Sequence, residues 1–302
     1  MANPGKFIAL NHEILPAAAA SVSVASSAVL YGLSVYSVVY GKKTDTSLLA
    51  FRLNDHLKRL QQSAHLIGFD SVTELVDGPT VAATIKKLIE ANEPTADQFI
   101  RITIHATELV PGIRTRKLGL SISIFFYDAQ NILPQDKARI KTSLWRRTAD
   151  TAIPARAKVN GAYVNSALAK QEAIDCGFDD CLFLNQHDYV SELTAANIFM
   201  VKQGILVTPD ASSDILEGIT RRSVIELSAK LAIPVIERKV ALTELYTAEE
   251  VFACGTSAFV SPITEIDSRT IGSGIMGPVT KQLRNCLLEI QADEKHPWIT
   301  TL

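Results

Sequence analysis

The apolar residues of this chain change period several times along its length, and those changes lay out its elements. Phe7 to Leu10 and the run from Ser21 to Tyr40 predict strands, because Ser21-Val22-Ser23-Val24 and Leu33-Ser34-Val35-Tyr36-Ser37-Val38 alternate every second residue. Gly41-Lys42-Lys43-Thr44-Asp45 reads as a turn before a short strand, Leu48 to Leu53. The period then becomes helical over His56 to Ala64, with Asn54 or Asp55 as the expected cap, and again over about Thr80 to Asn92. Gln98 to Ile104 and Gly119 to Phe126 return to strand character. Beyond the polar stretch Asp128 to Asp136, strands are expected at Ala138 to Trp145, Cys181 to Leu184 and Tyr189 to Leu193, with a hairpin from Asn197 to Pro209. Helices are expected at Ser166 to Asp175, Thr220 to Leu231, Leu242 to Phe252 and Pro278 to about Glu294, the last opened by a proline in the favoured first position.

Strands mixed with helices in this way make an α+β chain, and 302 residues are more than one core usually serves. The proline-containing polar stretch divides it into a smaller N-terminal domain (1–128), a linker (129–137) and a larger C-terminal domain (138–302).

Composition narrows the function classes. With 47% hydrophobic and 21% charged residues, 30 Lys and Arg against 32 Asp and Glu, and a net charge of -2, nothing marks disorder or a nucleic-acid partner. No charge occurs between Glu13 and Lys42, but Pro16, Gly32, the serines and the alternation argue against a membrane span, and no basic leader precedes the segment. Cys176, Cys181, Cys254 and Cys286 lack metal-site spacing and read as reduced thiols of a cytoplasmic protein. His105 with Glu108, and His187 with Asp188, have no third ligand at sensible spacing, so no metal is expected. Neither a nucleophile-elbow serine nor a Gly-rich dinucleotide loop is present.

Lys158 stands out within Ala155-Arg156-Ala157-Lys158-Val159-Asn160-Gly161. A lysine among small and apolar residues either snorkels to water or sits in a dry pocket where its amine is less readily protonated. The second case suits Schiff-base chemistry with a carbonyl compound.

Six ordered segments decide between these. Phe51-Arg52-Leu53-Asn54-Asp55-His56-Leu57-Lys58-Arg59-Leu60, Lys158 through Tyr163, Val190-Ser191-Glu192, Leu216-Glu217-Gly218-Ile219-Thr220-Arg221, Cys254-Gly255-Thr256-Ser257-Ala258 and Gly277-Pro278-Val279-Thr280 resemble the class IV pyridoxal-phosphate aminotransferases in order and spacing. The resemblance covers nearly the whole chain and is nearest to the branched-chain amino acid aminotransferases. It implies a two-domain fold-type-IV enzyme with pyridoxal 5'-phosphate lying between the domains. It further implies that Lys158 forms the Schiff base and moves the substrate proton, and that Glu192 sits under the pyridine nitrogen. Tyr163 would bond the phenolic oxygen, and Leu216 would pack on the ring. The phosphate would fall to Arg52, Ile219, Thr220 and Thr256. The start of a helix after Gly218 suits that task independently, since backbone N–H groups and the helix dipole favour an anion.

The resemblance places substrate contacts at Tyr31, Tyr36, Val38, Phe99, Arg101, Tyr127, Ser257 and Ala258. It implies an amino donor, a 2-oxo acid acceptor such as 2-oxoglutarate, and a homodimer or larger homo-oligomer. Tyr31 and the loop near Val110-Pro111-Gly112 would reach toward the partner's site. Several positions depart from the branched-chain pattern: Val38 replaces a glycine, Tyr40 a basic residue, and Phe99 a tyrosine whose hydroxyl it cannot supply. Leu193-Thr194-Ala195-Ala196 replaces a segment richer in glycine and serine. Branched-chain L-amino acids lead as donors. D-amino acids or (R)-amines come next, and lysis of aminodeoxychorismate is a further reading on the same fold.

Overall fold

The alternation of residues 34–40 becomes the long strand at the centre of a sheet. The computed structural model describes residues 5–70, 72–109 and 112–302. Two compact units emerge: the first comprises residues up to Ala129 together with Ala157–Ala162 and Ile290–Leu302, and the second Gln130–Arg156 and Tyr163–Glu289. Two late pieces of chain, one carrying Lys158, therefore belong with the N-terminal elements.

The first unit holds β1 (Phe7–Leu10), β2 (Glu13–Pro16), β3 (Ser34–Lys43), β4 (Leu48–Phe51), β5 (Gln98–Ala106), β6 (Leu120–Asp128) and a late strand, Ile299–Thr301. They lie in the order late strand, β4, β3, β5, β6, β1, β2, each pair antiparallel. Val38 stands opposite Arg101, Tyr40 opposite Phe99, and Phe99 opposite Tyr127. Because side chains alternate, Tyr36, Val38, Tyr40, Phe99, Arg101 and Tyr127 share one face. The other face carries Ser37, Val39, Ile100, Ile102, Ile124 and Phe126, all buried. Burying one such aliphatic or aromatic side chain contributes about 1.5–3 kcal/mol.

Helix α1 (Ser27–Tyr31) precedes β3, and α2 (Leu53–Leu66) and α3 (Gly78–Asn92) follow β4. On the buried face, Ser37 Oγ lies 2.8 Å from His56 Nδ1 of α2. Asn92 at the end of α3 accepts from the Phe7 N–H at 2.9 Å and donates to its carbonyl at 3.0 Å, fastening that helix to β1.

The second unit holds β7 (Ala138–Arg146), β8 (Asp180–Leu184), β9 (Val190–Leu193), β10 (Asn197–Lys202), β11 (Ile205–Thr208), β12 (Val235–Glu237), β13 (Glu250–Gly255), β14 (Phe259–Ile266) and β15 (Arg269–Thr270). Their order is β12-β11-β10-β13-β14-β7-β8-β9, with β15 on β14. The sheet is mixed, with parallel pairing at β11/β12, β14/β7 and β7/β8. Helices α4 (Tyr163–Asp175), α5 (Ile219–Lys230), α6 (Leu242–Tyr246) and α7 (Pro278–Ala292) follow the strands. At the start of α7, the Glu250 carboxylate accepts from the N–H groups of Val279 at 3.0 Å and Thr280 at 2.8 Å, and from the Thr280 hydroxyl at 2.6 Å. A buried carboxylate thus does what an N-cap side chain does elsewhere.

Three local expectations need correction. Residues 21–33 form no strand. The chain turns into α1 and leaves it through Gly32 at φ 67, and Val24 is 80% exposed, so that alternation has no buried face. The helix expected over Leu242 to Phe252 stops at Tyr246, because Val251 and Phe252 pair with β10, where the Phe252 ring stacks on Phe199 at 5.2 Å. Neither Asn54 nor Asp55 caps α2. The cap is Arg52, in the left-handed region at φ 52, and Asp55 accepts from its Nε at 2.6 Å instead.

Candidate active site

In the first unit, Lys158 is held by its backbone. Its carbonyl accepts from Tyr36 N–H at 3.0 Å, its own N–H donates to Ser63 Oγ at 3.1 Å, and Asn160 N–H donates to the Ser34 carbonyl at 2.8 Å. A bridge between Val35 and Val159 completes the pairing, so residues 158–160 lie along β3. The segment fits tightly against the end of α1: a Cβ on Gly32 would lie 2.8 Å from the Gly161 Cα. Ala157 and Val159 are buried on either side, while the Lys158 side chain runs over the face carrying Tyr36, its Nζ 4.9 Å from that ring's centre. The stem is therefore half-buried and the ammonium is seated beside an aromatic ring.

Arg101 approaches the same ring. Its guanidinium carbon lies 3.7 Å from the centre, and its Nη2 donates to Asn160 Oδ1 at 3.3 Å. Stacking and a hydrogen bond fix a planar cation able to receive a carboxylate in two-pronged fashion. Phe99, 1% exposed, packs between Tyr40 and Tyr127 at 6.2 and 5.6 Å, and Val38 stands opposite Arg101. Tyr40 turns its hydroxyl away, donating to Asp97 at 2.6 Å. Burial, then the Asp97 bond and charge, push Tyr40 up, so it stays a neutral donor. Burial works to raise Asp97 as well, but donors from Tyr40, Lys43 and Lys42 outweigh it and hold the carboxyl below its usual range. Further along the face, burial and then the Arg101 charge push His105 down to about 4, and its Nε2 lies 2.8 Å from Ser123 Oγ.

Arg52 is 8% exposed, with its guanidinium carbon 4.3 Å from the centre of the Trp298 ring and its N–H donating to the Trp298 carbonyl. A left-handed backbone at a bulky residue is a strained arrangement of the kind that concentrates at binding sites. Tyr31 ends α1 and is 38% exposed. Val110 and Pro111 lie outside the described residues.

In the second unit, Glu192 on β9 is 6% exposed and heavily supplied with donors. Oε1 accepts from Arg147 Nε at 3.0 Å and lies 2.9 Å from Arg147 Nη2. Oε2 accepts from Asn197 Nδ2 at 3.0 Å and from the Leu216 N–H at 3.1 Å. Asn197 also donates to the Leu216 carbonyl at 2.8 Å, so one side chain links the carboxylate to the segment leading into α5. The N-cap of α5 is Gly218, which has no side chain to bond the first amides, those of Ile219 and Thr220 among them. A Cβ on Gly218 would fall 2.2 Å from Asn197 Oδ1, so only glycine admits this approach. Tyr163 opens α4. Thr256, Ser257 and Ala258 form the turn from β13 to β14, which Ile132 holds by donating to the Ser257 carbonyl at 3.1 Å. That bond fixes the peptide plane, and with it the direction of the Ala258 N–H.

The structure thus brings Lys158, Tyr36 and Arg101 together, and separately Glu192 and Leu216. Sequence reasoning passed over Asn160, Trp298 and Arg147. The adjacent pair Arg146-Arg147 after a predicted strand was the one available signal for the last. His105 and Glu108 engage Ser123 and Arg114 and Asp188 engages Arg146, and no cluster that could hold a metal occurs among the described residues. All four cysteines are free, and burial pushes Cys181 and Cys254 up to about 12, which leaves little thiolate at neutral pH. Among the described residues no helix is long and apolar enough to cross a membrane.

Each unit holds donors whose chemistry fits pyridoxal phosphate: the first a lysine amine and a buried arginine, the second a carboxylate and helix amides beside a required glycine. The family model of the class IV aminotransferases matches residues 39–266. A relative from Aquifex aeolicus, named a "probable branched-chain-amino-acid aminotransferase", is 38% identical over 279 residues, 90% of this chain and 88% of its own. The branched-chain aminotransferase of Thermoproteus uzoniensis, solved with norvaline, superposes with a TM-score of 0.91 at 32% identity, covering 98% of this chain and 99% of the other. The branched-chain amino acid aminotransferase of Thermobaculum terrenum, solved in its PLP form, gives 0.90 at 32% identity, covering 99% of this chain and 98% of the other.

Proposed function

We propose, for a chain that belongs to the class IV aminotransferases, that the amino group it moves comes from branched-chain L-amino acids and from L-glutamate. The observation that carries this reading is the face of the first sheet beside Lys158. Tyr36, Val38 and Tyr127, with Phe99 buried between Tyr40 and Tyr127, offer an apolar face to a branched side chain, while Arg101, fixed by Tyr36 and Asn160, presents one cation to a side-chain carboxylate.

Pyridoxal phosphate, when bound, supplies an aldehyde that condenses with amines and a ring that accepts the electrons left behind by a departing Cα proton. Lys158 would offer the amine that fastens the cofactor, and its Nζ would be the base that moves the proton of the substrate Cα. By family resemblance Arg52, Ile219, Thr220 and Thr256 would be the phosphate's partners, the arginine as a charge-assisted one and the start of α5 through its backbone amides. Tyr163 would donate to the phenolic oxygen, Leu216 would pack against the ring, and Glu192 would hold a proton at the ring nitrogen. The amides of Ser257 and Ala258 take the substrate's α-carboxylate.

The exposed apolar residues Val29, Leu30 and Tyr31 of α1 support a homodimer in which Tyr31 meets the partner, and four free cysteines accord with a cytoplasmic location. Light scattering of the purified protein tests the dimer.

Stopped-flow absorbance tests the donor. L-leucine and L-glutamate should each discharge the yellow form, and D-alanine and (R)-1-phenylethylamine should leave it unchanged. Discharge by the D-acid or the amine alone would overturn the reading, as would pyruvate release from aminodeoxychorismate without an acceptor.

A further inference from the structure

We propose that Arg147 decides where the proton shared by Glu192 and the cofactor's ring nitrogen resides. The inference rests on the reading that places Glu192 at that nitrogen.

Arg147 leaves the end of β7 with its N–H bonded to the Leu184 carbonyl at 2.9 Å, which fixes its backbone on β8. Its side chain is 13% exposed, lies along the Phe183 ring at 5.9 Å, and directs Nε and Nη2 at one oxygen of Glu192. Neutral donors, Asn197 and the Leu216 amide, serve its second oxygen. A guanidinium adds something neutral donors do not, a full positive charge about 3 Å from the carboxylate.

A carboxylate facing a pyridine nitrogen shares one proton with it, and the proton resides on whichever atom is the stronger base. An arginine at Oε1 favours the anion, weakens Glu192 as a base and leaves the proton on nitrogen. A protonated ring draws electrons from the substrate Cα far more strongly than a neutral one. Arg147 touches neither substrate nor cofactor in this scheme. It is a positioning residue acting through Glu192, and its buried charge sets the electron demand of the ring.

The experiment uses holoenzyme carrying cofactor labelled with 15N in the ring. In Arg147→Met, and in Arg147→Gln should the first fold poorly, the 15N resonance should move toward the neutral-pyridine position. The maximal rate of the L-leucine half-reaction should fall on the order of tenfold to a hundredfold, with donor KM changing less than about threefold. Arg147→Lys, which keeps the charge, should restore much of both. Glu192→Gln is the control. If it fails to move the resonance, Glu192 does not face the nitrogen and the underlying reading falls. If it moves the resonance while Arg147→Met and Arg147→Gln do not, the proposal about Arg147 falls alone. A rate loss in the Arg147 variants that is matched by weakened cofactor binding, with the resonance unmoved, also overturns it.

Discussion

Arg101 stacks on Tyr36, its guanidinium carbon 3.7 Å from the ring centre, and Lys158 Nζ lies 4.9 Å from the same centre. One tyrosine therefore seats both Lys158 and Arg101. Replacing Arg101 by Met should depress kcat/KM for L-glutamate by about tenfold to a hundredfold, the worth of a charge-assisted hydrogen bond, and change that for L-leucine much less. Steady-state kinetics with both donors check this. Equal losses would remove Arg101 from donor selection.

Lys158→Ala should end turnover and leave a cofactor that borohydride no longer fixes to the chain. Mass spectrometry of the reduced protein reads the second outcome independently of activity. Because the backbone of 158–160 pairs with β3 and not through the side chain, thermal stability should change little.

Gly218→Ala places a Cβ against Asn197 Oδ1 and should disturb Glu192 and the start of α5 together. The dissociation constant for pyridoxal phosphate, titrated into apoenzyme by fluorescence, should rise by roughly tenfold, in line with the worth of one charge-assisted contact.

Glu250→Ala leaves the first amides of α7 without their acceptor inside the protein. A loss of about 2 kcal/mol is expected, read as a lower denaturation midpoint in urea at unchanged slope. Thr280→Val, which removes one of three donors, should cost less.

His105 gives a pH dependence of known sign. Its folded value, about 4, lies below the ordinary 6.5, so the unfolded chain binds more protons between those limits. Its contribution is complete above pH 6.5 and is lost as pH falls toward 4. Arg101, on the same face, adds repulsion once the ring charges, and Ser123 offers only a neutral partner. His105→Gln should flatten the fall in unfolding free energy across that window by roughly 2 kcal/mol, measured by urea denaturation at several pH values.

The family was legible because it depends on residue types in fixed order, the segments around Arg52, Lys158, Glu192 and Thr220 among them. What escaped were partners brought by pairing between distant strands. Asn160 reaches Arg101 only because its segment lies along β3, and Trp298 reaches Arg52 only because a late strand joins β4. Local period failed where it lacked a surface to face. Residues 21–24 alternate with nothing to bury against, and Val251 and Phe252, in a stretch that reads as helical, were drawn into strand by Met200 and Phe199 on β10.

The pairing of residues 158–160 with β3 also orders events on the ribosome. The strand receiving Lys158 is made more than a hundred residues before the lysine, and the β4 edge waits for residues 299–301. During synthesis, when early segments ordinarily settle first, this sheet must keep two places open. Lys158 therefore gains its seat on Tyr36 only after residues 44–157 have followed β3 from the ribosome.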